Sequence, residues 1–202
     1  MDIRTTVEKA FERWKGSPPE IITRLPQSGS DRVYFRLICR EDQVIGAYNP
    51  SREENEAFVG FSNHFRSKGL PVPEIYVYYP EDKIYFLEDL GDINLFTWLA
   101  RRSDEERFNK ETEKLFHTIA GDLVRIQTEG IRGLDLSLCY PHRSFDRQSI
   151  VWDMNYYKYM FLKLIGAPFN ETRLERDFEI LTRFLLDAGQ EYFLFRDFQT
   201  AN

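Results

Sequence analysis

The spacing of hydrophobic positions changes along the chain, and each change predicts a new element. Ile3, Val7, Ala10, Phe11 and Trp14 recur at helical spacing, with Asp2 placed to cap the first turn. Gly16-Ser17-Pro18-Pro19 ends that helix. Residues 20–25 then read as a strand. A polar turn, Pro26-Gln27-Ser28-Gly29-Ser30-Asp31, leads into a second strand over 33–39, where Val33, Phe35, Leu37 and Cys39 share one face. A third strand is expected over 43–48.

Helical spacing returns over 53–68 through Phe58, Phe61 and Phe65, and Gly69 is a suitable residue just past the helix end. Pro71 and Pro73 frame an extended link. Residues 74–79 and 83–88 read as a hairpin around Pro80-Glu81-Asp82. After Leu90-Gly91-Asp92 the pattern from 95 to 188 is almost wholly helical, with long helices expected over 104–129, 146–165 and 170–188. A short apolar strand over 191–195 and a polar loop over 196–202 complete the reading. The expected fold class is therefore α+β: a small antiparallel-sheet lobe, 1–90, followed by a helical lobe, 91–202, with the switch near 88–92. The pattern shows no internal repeat and no low-complexity segment.

Composition narrows the function classes. At 202 residues the chain is long enough for one domain or two small lobes, and 42% hydrophobic with 30% charged residues argues against disorder. The net charge of −6, without a basic block, disfavours nucleic acid as a partner. Two cysteines, Cys39 and Cys139, cannot build a disulfide framework. No apolar run reaches the roughly 20 residues of a membrane span, and no apolar segment follows Met1-Asp2-Ile3 as in a signal peptide. A cytoplasmic protein with no membrane partner is expected.

Three segments carry candidate chemistry. The first is the terminal run Phe193-Leu194-Phe195-Arg196-Asp197-Phe198-Gln199-Thr200-Ala201-Asn202. It delivers an Asp from an apolar stretch and an Asn five residues later. Kinase catalytic loops use this spacing: the carboxylate takes the proton of the acceptor hydroxyl, and the Asn carbonyl holds a magnesium ion. The bare pattern also occurs by chance, and an Asp after a strand commonly forms a turn. The second is the polar loop Ser28-Gly29-Ser30-Asp31 ahead of Tyr34-Phe35-Arg36, whose backbone N–H groups suit phosphates but equally suit a plain hairpin turn. The third is Leu87-Glu88-Asp89-Leu90-Gly91, a strand running into an acidic pair where the lobes meet, read either as a connector offering backbone groups to an adenine or as an ordinary linker.

In this order and at these separations, the segments resemble the aminoglycoside phosphotransferase and choline kinase family, which has the protein-kinase-like fold. The likeness is closest to the bacterial anomeric kinases of N-acetylmuramate and N-acetylglucosamine. Gly69-Leu70-Pro71-Val72-Pro73-Glu74-Ile75 resembles that branch's link, and Leu87-Glu88-Asp89-Leu90-Gly91 its hinge. The resemblance implies an ATP- and magnesium-dependent phosphotransferase acting on a small-molecule hydroxyl, an amino sugar or related metabolite. It implies Asp197 as catalytic base and Asn202 as magnesium ligand. It implies the backbone of Glu88, Asp89 and Leu90 as the adenine contact, and Ser28, Gly29, Ser30 and Asp31 over the phosphates. Glu54 or Glu56 would be the acid on the helix after the third strand.

The chain departs from the family at four places. Phe195 stands where His precedes Arg-Asp, and Gln199 where His is frequent. The third strand contains no Lys to pair with the α- and β-phosphates. The chain ends at Asn202, before the second metal-binding Asp, so it is expected to be a truncated form with little activity alone and a C-terminal continuation or fused domain. The missing Lys supports a rival, a pseudokinase-like nucleotide-binding or regulatory module; a globular interaction domain is a third reading. His64, His117 and His142 share no metal-ligand spacing, and Cys139 beside His142 has no third group to make a nucleophilic set. Arg143 and Asp146, in the long 132–146 loop, are the remaining candidates near an acceptor. Trp152, Tyr156, Tyr157 and Tyr159 read as core packing.

Overall fold

A computed structural model of the chain describes residues 2–27, 31–40, 42–189 and 191–201. They form two compact units: Met1–Tyr140 with Phe195–Asn202, and Pro141–Leu194. The change of pattern at 88–92 falls inside the first unit. The fold class is α+β, as the alternation of patterns implies.

The first unit is organised by a five-stranded antiparallel sheet. β1 (Ile21–Arg24), β2 (Val33–Cys39), β3 (Asp42–Tyr48), β4 (Ile75–Tyr79) and β5 (Ile84–Glu88) lie in the order β1-β2-β3-β5-β4. The register sets Val33 opposite Tyr48 and Phe35 opposite Gly46, and sets Gly46 in turn opposite Phe86. Because side chains alternate along a strand, this register sorts the residues into two faces. One face carries Val33, Phe35, Leu37, Val44, Ile84 and Phe86, and is covered by Val7, Ala10 and Phe11 of helix α1 (Ile3–Lys15). The other carries Ile45, Ala47, Tyr85 and Leu87, packed against Phe58 and Val59 of helix α2 (Arg52–Ser67). With helices on both sides, Ile84–Leu87 of β5 is a continuous buried run instead of an alternating one.

α1 lies close to its face. Trp14 stacks on Phe86 at 5.3 Å between ring centroids, and Phe11 meets Phe86 edge-on at 5.8 Å. A Cβ on Gly46 would stand 2.9 Å from Leu37 Cδ1 and 3.0 Å from both Phe86 Cε1 and Val7 Cγ1. The absent side chain at this position is what lets the helix and the sheet meet.

α2 begins where a polar turn leaves β3. Ser51 caps it by accepting the Glu54 N–H at 3.2 Å. The fully buried Asn49 donates to Glu54 Oε2 at 2.8 Å, and the equally buried Asn55 donates to the Asn49 carbonyl at 3.1 Å. The amide donors of Asn49 and Asn55 are thus paired, while Asn55 Oδ1 is buried without a hydrogen-bond partner among the described residues.

Two expectations about secondary structure are corrected. The single helix expected over 104–129 is divided into α4 (Asp104–Arg107), α5 (Lys110–Arg125) and a π-helical turn, Ile126–Gly130; a short α3 (Leu95–Ala100) precedes them. The division is made by side-chain caps. Ser103 and Glu106 form a capping box around the start of α4, and Asn109 takes the Thr112 N–H at 2.9 Å to start α5. Local caps override a hydrophobic period that continues through them. Residues 191–195 do not form a strand, because no neighbouring strand pairs with them among the described residues, and an extended segment needs a ladder partner to satisfy its backbone.

The second unit pairs α6 (Arg147–Tyr157), extended by a π-helical turn over Lys158–Leu162, with α7 (Glu171–Leu186). Met154 and Thr182 meet at 3.7 Å, and the buried Lys158 ammonium sits between Glu171 and Glu175, 2.6 Å from each. Trp152, Tyr156, Tyr157 and Tyr159 are not core: each is 47% exposed or more, because Ile150 and Met154 occupy the buried side of α6.

Replacing Gly46 by Ala is expected to lower stability by about 1–3 kcal/mol through overpacking against Val7, Leu37 and Phe86. Denaturant unfolding of the variant checks this; an unchanged midpoint would show that α1 can retreat without loss.

Candidate functional site

The end of β5 is held by a charged network. Asp89 has a side chain only 3% exposed, two strands away from Arg36 on β2. Arg36 Nε donates to one carboxylate oxygen, and Arg36 Nη2 donates to the other at 3.0 Å. Gln43 of β3 donates to Asp89 Oδ2 at 2.8 Å, and the Gly91 N–H donates to Oδ1 at 2.9 Å. The last bond closes a turn in which Gly91 takes φ +83°, a conformation open to glycine without steric penalty. Arg36 also pairs with the exposed Asp92 at 2.8 Å. Burial alone would raise the Asp89 carboxyl; the Arg36 guanidinium, the Gly91 N–H and the Gln43 amide together hold it below the ordinary carboxylate range.

Glu88, one residue earlier, fastens the Gly69–Ile75 link. Its N–H donates to the Glu74 carbonyl at 2.9 Å, and its Oε2 accepts the Glu74 N–H at 3.1 Å. Arg66 of α2 lies between the two acids, 3.4 Å from Glu74 Oε2 and from Glu88 Oε2. The link motif and the hinge motif, separate in sequence, are thus one structural feature. Leu90 is 70% exposed beyond them.

The loop around Asp197 returns to the same region. Asn94 accepts the Thr97 N–H at 2.9 Å to cap α3, and its amide donates to the Ala201 carbonyl at 3.0 Å. The Phe96 N–H donates to the Thr200 carbonyl at 2.8 Å. Asp197 itself is exposed, with φ +53°, in a region that few residues other than glycine adopt, Asp among them. Such backbone conformations gather at functional loops. Phe195 meets Phe198 edge-on at 5.4 Å across the loop.

The remaining sequence candidates separate. Asp31 is exposed in the bend before β2. Ser28, Gly29, Ser30 and Asn202 lie outside the described residues. Of the two acids considered on α2, Glu56 pairs with Arg52 at 2.8 Å on its own helix, whereas Glu54 faces Arg32, 3.7 Å away. His64 Nε2 donates to the Gly130 carbonyl at 2.8 Å, tying α2 to the π-helical turn. No group of three or more His, Cys, Asp or Glu that could hold a metal ion occurs among the described residues, and none of their helices is long and apolar enough to cross a membrane.

Arg36, Gln43 and Asn94 escaped the sequence reading. Arg36 had a signal: it stands on the sheet face otherwise bearing Ile45 and Leu87, where a charge requires a buried partner. A search of known protein families and of curated proteins finds no match to the chain.

Replacing Asp89 by Asn is expected to cost about 3 kcal/mol, the low end for breaking a buried pair, because Asp92 still faces Arg36. The folded carboxyl titrates below its unfolded value, so its contribution is complete above about pH 4 and disappears as pH falls through the lower folded value. Unfolding wild type and variant side by side should show the stability gap closing below pH 4; a gap constant down to pH 2 would contradict the network.

Proposed function

We propose that the first unit is the nucleotide-binding part of an ATP-dependent phosphotransferase that acts on a hydroxyl of a small molecule, an amino sugar or related metabolite. The observation that carries the reading is the docking of the Asp197 loop onto Asn94 and Phe96, directly after the Glu88–Asp92 hinge. The stretch that follows the hinge and the loop that carries Asp197, 107 residues apart at Asn94 and Ala201, meet through two hydrogen bonds. The antiparallel sheet with one helix on each face supports it further.

In this reading magnesium-ATP supplies the phosphoryl group and the means of neutralising its charge. Asp197, on the exposed turn, takes the proton of the acceptor hydroxyl on a carboxylate oxygen as that hydroxyl attacks. The hinge holds the adenine through backbone groups. The Glu88 N–H already serves Glu74, so those groups belong to Asp89 and Leu90. The Asp89 carboxylate positions the hinge and touches no substrate. Residues 28–31 cover the phosphates, and Asn202 is the proposed metal ligand by resemblance.

One feature favours a second reading. β3, Asp42–Tyr48, carries no basic residue, which suits a module that binds nucleotide without turnover. Coupled ADP release by the full-length protein, with magnesium-ATP and a panel of amino sugars, separates the two. Acceptor-dependent release should fall at least 100-fold in Asp197→Ala, with ATP affinity changed by no more than about threefold, as for loss of a general base. Turnover unaffected by that substitution would overturn the assignment of Asp197. ATP binding without acceptor-dependent release in wild type would establish the module.

A further inference from the structure

A cation on the α2 face of the sheet has not been accounted for. Arg32 follows the 28–31 loop and immediately precedes β2. Its guanidinium carbon lies 5.3 Å from the centre of the Phe58 ring. Tyr85, fully buried on β5, packs against the same ring at 5.1 Å between centroids. Arg32 Nε is buried without a hydrogen-bond partner among the described residues. The Tyr85 hydroxyl is buried as well, beside Tyr34. An unsatisfied charged donor therefore borders the aromatic ring.

The neighbouring acid does not satisfy the Arg32 donors. Glu54 is 3.7 Å from Arg32 Nη2, beyond hydrogen-bond distance, and the same carboxylate oxygen accepts Asn49 Nδ2 at 2.8 Å. The Arg32 side chain is nonetheless 23% exposed. A buried donor without a partner marks a position that a ligand can complete. A planar fork of donors on a partly exposed side chain fits the oxygens of a phosphate.

We propose that Arg32 is the cation that holds the phosphates of the bound nucleotide, with Glu54 and Phe58 fixing its orientation. This rests on the nucleotide-binding reading above. It places the phosphate charge on a residue ahead of β2, which answers the absence of a basic residue on β3. It also assigns Glu54 as a positioning residue acting through Arg32.

Calorimetric titration of magnesium-ATP and of adenosine into wild type, Arg32→Gln and Arg32→Lys tests it. Arg32→Gln is expected to weaken ATP by about 10- to 100-fold, as for loss of a charge-assisted hydrogen bond, and to leave adenosine unchanged. Arg32→Lys keeps the charge without the fork and should bind ATP several-fold less tightly than wild type; it carries the test if the Gln variant does not fold. ATP affinity within twofold of wild type in the folded variants would overturn the assignment of Arg32 alone. So would a wild type that binds adenosine as tightly as ATP. A wild type that binds neither would overturn the nucleotide reading, and the assignment with it.

Discussion

The pairing of Arg36 with Asp89 is the constraint on which the arrangement of the first unit depends. A carboxylate that is 3% exposed must be compensated, and here the compensation comes from both other central strands: the fork of Arg36 on β2 and the amide of Gln43 on β3. The bond from Gly91 fills a further acceptor position and turns the chain. Since Arg36 also engages Asp92, the segment leaving β5 has a set direction before α3 begins. Asn94 then caps α3 and holds Ala201, so the position of the Asp197 loop is inherited from an ion pair within the sheet.

The two faces of the sheet are built on different physics. Against α1 the contact is dry and aromatic, and its closeness depends on Gly46 having no side chain. Against α2 the apolar contacts of Phe58 and Val59 are interleaved with polar groups that have to be satisfied one by one: Asn49, Asn55, Glu54, Arg32 and Tyr85. The dry face supplies hydrophobic stabilisation with few requirements beyond volume. The mixed face is demanding, since every buried donor left unpaired costs stability. The unpaired Arg32 donor lies on the face where ligand binding is proposed.

The acidic residues show how one residue type is put to unlike uses. Asp89 and Asp197 both follow apolar runs and look alike in the sequence. Asp89 is enclosed by donors and belongs to the scaffold. Asp197 is exposed on a turn with positive φ, where a carboxylate can meet a solute. Glu54 and Glu56 divide in the same manner, one toward Arg32 and the other along its own helix.

By itself the sequence determined what depends on near neighbours. The alternation of 33–39 and the helical spacing of 3–14 act within a few residues, so five strands and the helices flanking them were legible. The same locality explains the misreadings: the caps at Ser103 and Asn109 were hidden under a continuous hydrophobic period, and 191–195 has strand composition but no strand beside it. Only the tertiary structure decided which charges belong to the fold and which to a site. Arg36 meets Asp89 across 53 residues and Asn94 meets Ala201 across 107, and hydrogen bonding and burial act through space, where separation along the chain carries no information.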